Sequence, residues 1–235
     1  MHNCSVMPGS RIIPVFFAGS SRPSLVFILI ASLLMVIPKG SRSQDQVTDR
    51  AVIESVKSGI NLAAQRTQTI SSDFSQVKEL SMIREKIISK GKFYFKKDRM
   101  LRWEYVQPYA YLIIIRGDQI TVKDDNKVNT FNIQSNRIFR EINRIILGSI
   151  RGTLLSDEKN FSAEYSSNAA SWIVKLKTLS PGLKNAVSEI LISFDRRDYA
   201  VIKVEIMEPG GDYTRITFTD RKINQPVDDA KFLVP

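Results

Sequence analysis

Apolar residues recur at two different periods along this chain. Over residues 48–70, Val52, Val56, Ile60 and Ala63 fall at spacings of three and four, the stripe of an amphipathic helix. Thr48 or Asp49 is of the type that caps a helix start. Gly59 weakens the helix interior by about 1 kcal/mol. Beyond it the period becomes two. Strands are expected at Asp73–Lys78, Ile83–Ser89, Gly91–Lys96, Leu101–Val106, Tyr111–Arg116, Gln119–Asp124 and Lys127–Ile133. The breaks carry turn residues: Lys97-Asp98-Arg99, Gln107-Pro108, Arg116-Gly117-Asp118 and Asp124-Asp125-Asn126. Connections this short join antiparallel neighbours.

A helical pattern then interrupts. Ile138, Phe139, Ile142, Ile145 and Ile146 share one face, with Arg137, Arg140, Glu141 and Arg144 off it. Asn136 suits its start and Gly148 its end. A second short amphipathic piece is expected through Ile150–Leu155. Strands resume at Phe161–Ser166, Ala170–Thr178, Glu189–Phe194, Ala200–Met207 and Thr214–Thr219. Pro209-Gly210-Gly211-Asp212 is a hairpin signal between the last two. The fold class that follows is mainly β (α+β): a curved antiparallel sheet or incomplete β-barrel, covered by amphipathic helices. A flat sheet of this size would expose an apolar face, so it must curl or be covered. Large apolar side chains alternate on Phe93/Phe95, Leu101/Trp103/Tyr105, Trp172/Val174/Leu176, Ile190/Ile192/Phe194, Ile202/Val204/Ile206 and Ile216/Phe218. Patterning leaves open whether they fill the interior or line a cavity. Met82 and Met207 are core residues or adaptable contacts.

Residues 1–43 have a different character. Leu25–Pro38 is an apolar run, preceded by Arg11 and Arg22 and followed by Gly40-Ser41-Arg42-Ser43. It is shorter than the roughly 20 residues that span a bilayer. A basic start, a short apolar middle and small residues at the end describe a secretory signal. The expected organisation is a signal peptide over 1–43 and a single domain over 44–235, with the mature chain starting near Gln44. The chain's one cysteine, Cys4, and one histidine, His2, both fall in the signal. A mature chain without them has no Ser-His-Asp triad, thiol nucleophile or His/Cys zinc site. Residues 1–43 also hold four basic and no acidic groups. The net charge of +10 therefore falls to +6 over the remainder. That mild excess serves solubility, and nucleic acid is not an expected partner.

The run Gly91-Lys92-Phe93-Tyr94-Phe95-Lys96-Lys97-Asp98-Arg99-Met100-Leu101-Arg102-Trp103-Glu104-Tyr105-Val106-Gln107-Pro108 resembles the signature of the outer-membrane lipoprotein carrier family, LolA. Other features in order and spacing agree with it. They are Phe74-Ser75-Gln76, Ile113-Ile114-Ile115-Arg116-Gly117-Asp118 and the closing Asn224, Asp228, Phe232 and Pro235. The resemblance spans roughly residues 50–235. It implies an incomplete barrel closed by helices over an apolar cavity, with no cofactor and no catalysis. The implied role is a monomeric periplasmic carrier in a Gram-negative envelope. It takes lipoprotein acyl chains from an inner-membrane ABC transporter to an outer-membrane acceptor. The family's arginine after the signature strand, followed by proline, is thought to control lid closure; Lys97 and Asp98 stand in those places here.

On this reading the cavity is lined by Phe93, Phe95, Leu101, Trp103, Tyr105, Ile114, Ile142, Ile146 and Phe218. Lys97, Arg99 and Arg102 form a rim that controls the lid. Ordinary core packing is the alternative for each lining residue, and a solvated turn is the alternative for the cations. A carrier of another envelope lipid or glycolipid, or a lipid-binding periplasmic sensor, would fit the same pattern. An enzyme would have to use carboxylates such as Glu104, Asp124 and Asp125, the last two of which sit in a turn signal.

Overall fold

The structure is a computed structural model that describes residues 44–82, 85–97, 99–124, 127–135, 145 and 147–235. The helix read at 48–70 is α1, Arg50–Arg66, and Asp49 caps it by accepting from the Ala51 N–H at 2.8 Å. It ends at Arg66, short of the expected 70. The Thr67 hydroxyl bonds back to Ala63 O at 2.8 Å, and Asn224 then takes both the Gln68 N–H (2.7 Å) and Arg66 O (3.1 Å). The chain turns straight into a strand.

Among the described residues twelve strands form one antiparallel sheet: β1 Asp45–Gln46, β2 Thr69–Leu80, β3 Glu85–Lys96, β4 Met100–Gln107, β5 Tyr111–Arg116, β6 Gln119–Asp124, β7 Lys127–Asn132, β8 Phe161–Ser167, β9 Ser171–Thr178, β10 Glu189–Asp195, β11 Val201–Met207 and β12 Tyr213–Ile223. The order is β1-β8-β9-β10-β11-β12-β2-β3-β4-β5-β6-β7. Two meanders are thus joined at the β12–β2 pair. The two segments expected as Ile83–Ser89 and Gly91–Lys96 are one strand, β3. The pairing slips between Lys90 and Gly91, and the bulge absorbs the change of phase. Gly91 is forced there. A Cβ would lie 1.9 Å from Glu104 O and 2.7 Å from the Phe74 ring.

The sheet is curved, and α1 lies on its concave side. Val56 and Ile60 of α1 pack with Val174, Leu176, Ile190, Ile192 and Phe194 in one apolar cluster. Phe74, Phe93, Phe95, Leu101, Trp103 and Ile115 anchor a second. Residues 147–151 are helical, followed by a 3-10 turn at Thr153–Ser156 that buries Leu154 and Leu155. The expected Asn136–Gly148 lid falls mostly outside the described residues, Ile138, Ile142 and Ile146 included. Ile145 is half-buried against the first cluster. Met82 is not core: it sits at the β2–β3 hairpin tip, 95% exposed.

The convex face is also covered. After β12, Asp228 caps a 3-10 turn, Asp229–Phe232, by accepting from Ala230 N–H at 2.9 Å. The turn contacts β4 and β5 and buries Phe232 to 1% exposure. Three residues of the closing pattern named above therefore have structural work. Asn224 joins α1 to β2, Asp228 caps, and Phe232 seats the segment.

Candidate functional site

Cross-strand registers set the inner surface. Phe218, Phe74, Gly91, Tyr105 and Tyr111 form one row, and Ser72, Phe93, Trp103, Ile113 and Val122 the next. Ile223, Ile70, Phe95, Leu101, Ile115 and Ile120 form a third. The first two rows interlock through aromatic edges. Phe74 meets Trp103 and Tyr105, each at 5.1 Å, and Phe93 meets Trp103 at 5.2 Å and Phe218 at 5.5 Å. Tyr105 donates to Gln76 Oε1 at 3.0 Å, which ties the Phe-Ser-Gln segment to the signature strand. Burial pushes the Tyr105 hydroxyl pKa well above the usual phenol range.

An apolar cavity lies where the two clusters meet. Its floor is Phe93, Trp103, Ile216 and Phe218; its roof includes Ile60, Ala63 and Ala64 of α1, with Ile145 and Ile150; Phe194, Tyr199 and Val204 close its far side. Its volume is about 80 Å³. That holds only two or three waters at roughly 30 Å³ each, well below the roughly 300–1,000 Å³ of a ligand pocket. The described residues leave little free space there. At Gly59 a Cβ would lie 2.6 Å from the Tyr199 ring, so glycine lets that ring seat on α1.

The expected lining residues separate into groups. Phe93, Trp103 and Phe218 line the cavity. Phe95, Leu101 and Tyr105 share their face but pack in the aromatic cluster beside it. Ile142 and Ile146 lie outside the described residues. Ile114 has to be corrected. It pairs with Arg102, one register step from Trp103, and so belongs to the convex face.

The three cations also separate. Lys97 is at the rim, where its Nζ donates to Gln65 O of α1 at 3.1 Å. Arg99, at φ 63°, pairs with Asp118 across the adjoining turn. Arg102 is not on the rim. It is 7% exposed on the convex face and holds Glu104 through two hydrogen bonds, at 3.0 and 2.8 Å. It also donates to Lys231 O at 3.0 Å and Leu233 O at 3.3 Å. It thus clamps the C-terminal segment. The Arg102 hydrogen bond is also the main reason that the Glu104 pKa is lowered.

Two cavity residues at the end of β12 were hidden from the pattern. Inward positions on β12 run Ile216, Phe218 and then, by alternation, Asp220. The β12–β2 pairing slips between Thr219 and Lys222, and Asp220 takes φ 50°. This bulge turns Arg221 and Ile223 inward, and both line the cavity. Arg221 donates to Asp195 Oδ2 at 3.0 Å and Asp198 Oδ1 at 3.5 Å. The only sequence signal was Asp220 itself, a type that tolerates the left-handed region.

A curved antiparallel sheet with helical elements over an apolar seam cavity defines a binding fold for apolar ligands. The chain belongs to the outer membrane lipoprotein carrier protein family, LolA, whose family model matches residues 65–234. An outer-membrane lipoprotein carrier protein of Chromobacterium violaceum is 25% identical over 169 residues, 71% of this chain and 76% of that one. A conserved protein from Thermus thermophilus superposes with a TM-score of 0.50 at 7% identity, over 78% of this chain and 94% of that one. A LolA superfamily protein from Nitrosomonas europaea gives 0.40 at 8% identity, over 77% and 97%. At 7% identity the likeness to the Thermus thermophilus structure is one of fold alone. The family assignment makes the protein a lipid- or lipoprotein-binding carrier.

Proposed function

We propose that this protein carries lipoprotein acyl chains across the periplasm, from an inner-membrane ABC transporter to an outer-membrane acceptor. In this reading residues 1–43 are removed on export and residues 44–235 act as one soluble domain. Burying acyl chains recovers about 0.8 kcal/mol per methylene lost on leaving the membrane. The carrying observation is the seam cavity, floored by Phe93, Trp103 and Phe218 and roofed by α1. It is largely apolar and lies where the two clusters meet. Cargo must displace the roof. α1 is held at its C-terminal end by Lys97, which is where a small change would open it.

The test is mass spectrometry of the protein purified from the periplasmic fraction. A chain beginning near Gln44 with co-purifying acylated lipoprotein is expected. A full-length species retained in the inner membrane would overturn the export reading. Co-purifying glycolipid or phospholipid alone would replace the cargo.

A further inference from the structure

We infer that the cavity contains a built polar pole, Ser72 with Arg221, that binds the carbonyl oxygen joining an acyl chain to its carrier molecule. This deepens the acyl-carrier reading and rests on it. Ser72 is 6% exposed and pairs with Phe93, so its side chain points to the cavity face. It lines the cavity, and its buried hydroxyl has no hydrogen-bond partner among the described residues. A buried hydroxyl left unpaired is costly, and a ligand acceptor would remove that cost. Thr219 pairs with Asp73 and Lys222 with Ser71, so the bulged pair Asp220-Arg221 stands opposite Ser72. The same bulge turns Arg221 inward, and both residues line the cavity.

The electrostatics select the ligand atom. Arg221 is already paired with Asp195, whose pKa is held down to about 2, first by its hydrogen bonds from Arg197 and also by the Arg221 charge. The cation is neutralised before any ligand arrives. A second anion such as a phosphate would meet Asp195 and Asp198 as well. A neutral acceptor suits the site better. The remaining guanidinium N–H groups and the Ser72 hydroxyl are donors for a carbonyl. Near Ser72 the lining is otherwise Ile70, Phe93, Phe218 and Trp103, whose buried Nε1–H also has no partner among the described residues and is a further donor for a carbonyl. The pole therefore fixes where along an acylated molecule the cavity grips, at the ester or amide junction rather than anywhere along the hydrocarbon.

The experiment measures binding of three probes of equal chain length to the mature protein: a diacylglycerol, an N-acyl amide and the dialkyl ether analogue that lacks carbonyls. Wild type should bind at least one carbonyl probe about three- to tenfold more tightly than the ether, the worth of a net hydrogen bond. Which of the two wins identifies the junction. Ser72→Ala should abolish that preference, bringing the carbonyl probes to the ether's affinity. Arg221→Lys, which keeps a cation for Asp195 but loses the planar fork, should reduce it. Equal binding of ether and carbonyl probes by wild type overturns the pole and leaves the carrier intact. So does a Ser72→Ala variant that loses all three probes equally. Binding of none of them overturns both.

Discussion

Lys97 Nζ donates to Gln65 O, one residue before the end of α1, at 3.1 Å. The lysine extends from the loop after β3, so one hydrogen bond ties the cavity roof to the sheet rim. The acceptor belongs to the helix's last turn, where unpaired carbonyls carry partial negative charge and a cation is favoured. A lysine needs one such acceptor, whereas an arginine would present a fork of donors.

The Lys97→Leu variant should therefore fold and bind lipid but release it poorly to acceptor membranes. Its stability loss should stay within about 1 kcal/mol, the usual limit for an exposed contact of this kind. Transfer of labelled cargo from loaded protein to acceptor membranes, run beside equilibrium binding, separates the two effects. Wild-type transfer in the variant would make Lys97 ordinary surface charge.

Gly91→Ala should cost about 3 kcal/mol or more in urea unfolding. The added methyl meets the Glu104 carbonyl, which belongs to the paired strand and has no room to retreat. A variant with near-native stability would show that the β3–β4 bulge is plastic.

Arg102→Leu should strip the C-terminal segment from the convex face. It leaves the Glu104 carboxylate and two backbone carbonyls without their donor, a loss of about 2–3 kcal/mol. Hydrogen exchange should rise at 228–235 before anywhere near α1. Protection that falls first in α1 would return Arg102 to the lid.

Asp195 sets an acid limit. Its carboxyl is held down from 3.8 to about 2. The depressed folded value means that its stabilisation is complete above pH 4 and lost as pH falls through 2. The amount is on the order of 2 kcal/mol. Unfolding free energy measured between pH 5 and pH 2 should fall less steeply in Asp195→Asn. An unchanged slope would remove this carboxylate from the acid response.

Local pattern was enough for much of the architecture. The stripe Val52, Val56, Ile60 and Ala63 needs only its own spacing to become α1. Tyr111–Arg116 and Gln119–Asp124 are strands in the structure with the same bounds that alternation and turn residues predict. Phe93, Trp103 and Phe218 are large apolar residues at period two, so their shared inner face was legible before any pairing was known. Tertiary structure decided the rest. β5 reads Tyr-Leu-Ile-Ile-Ile-Arg, apolar at nearly every position, because the Phe232 segment covers its outer face. With both faces buried, period two carries no orientation, and Ile114 was assigned to the wrong one. Arg102 looked like a surface cation because its acceptors, Lys231 O and Leu233 O, lie far along the chain. Arg221 was hidden by a bulge, which exists only once β12 pairs with β2. Alternation is a property of one strand. Which face it presents, and where it slips, belongs to the pair.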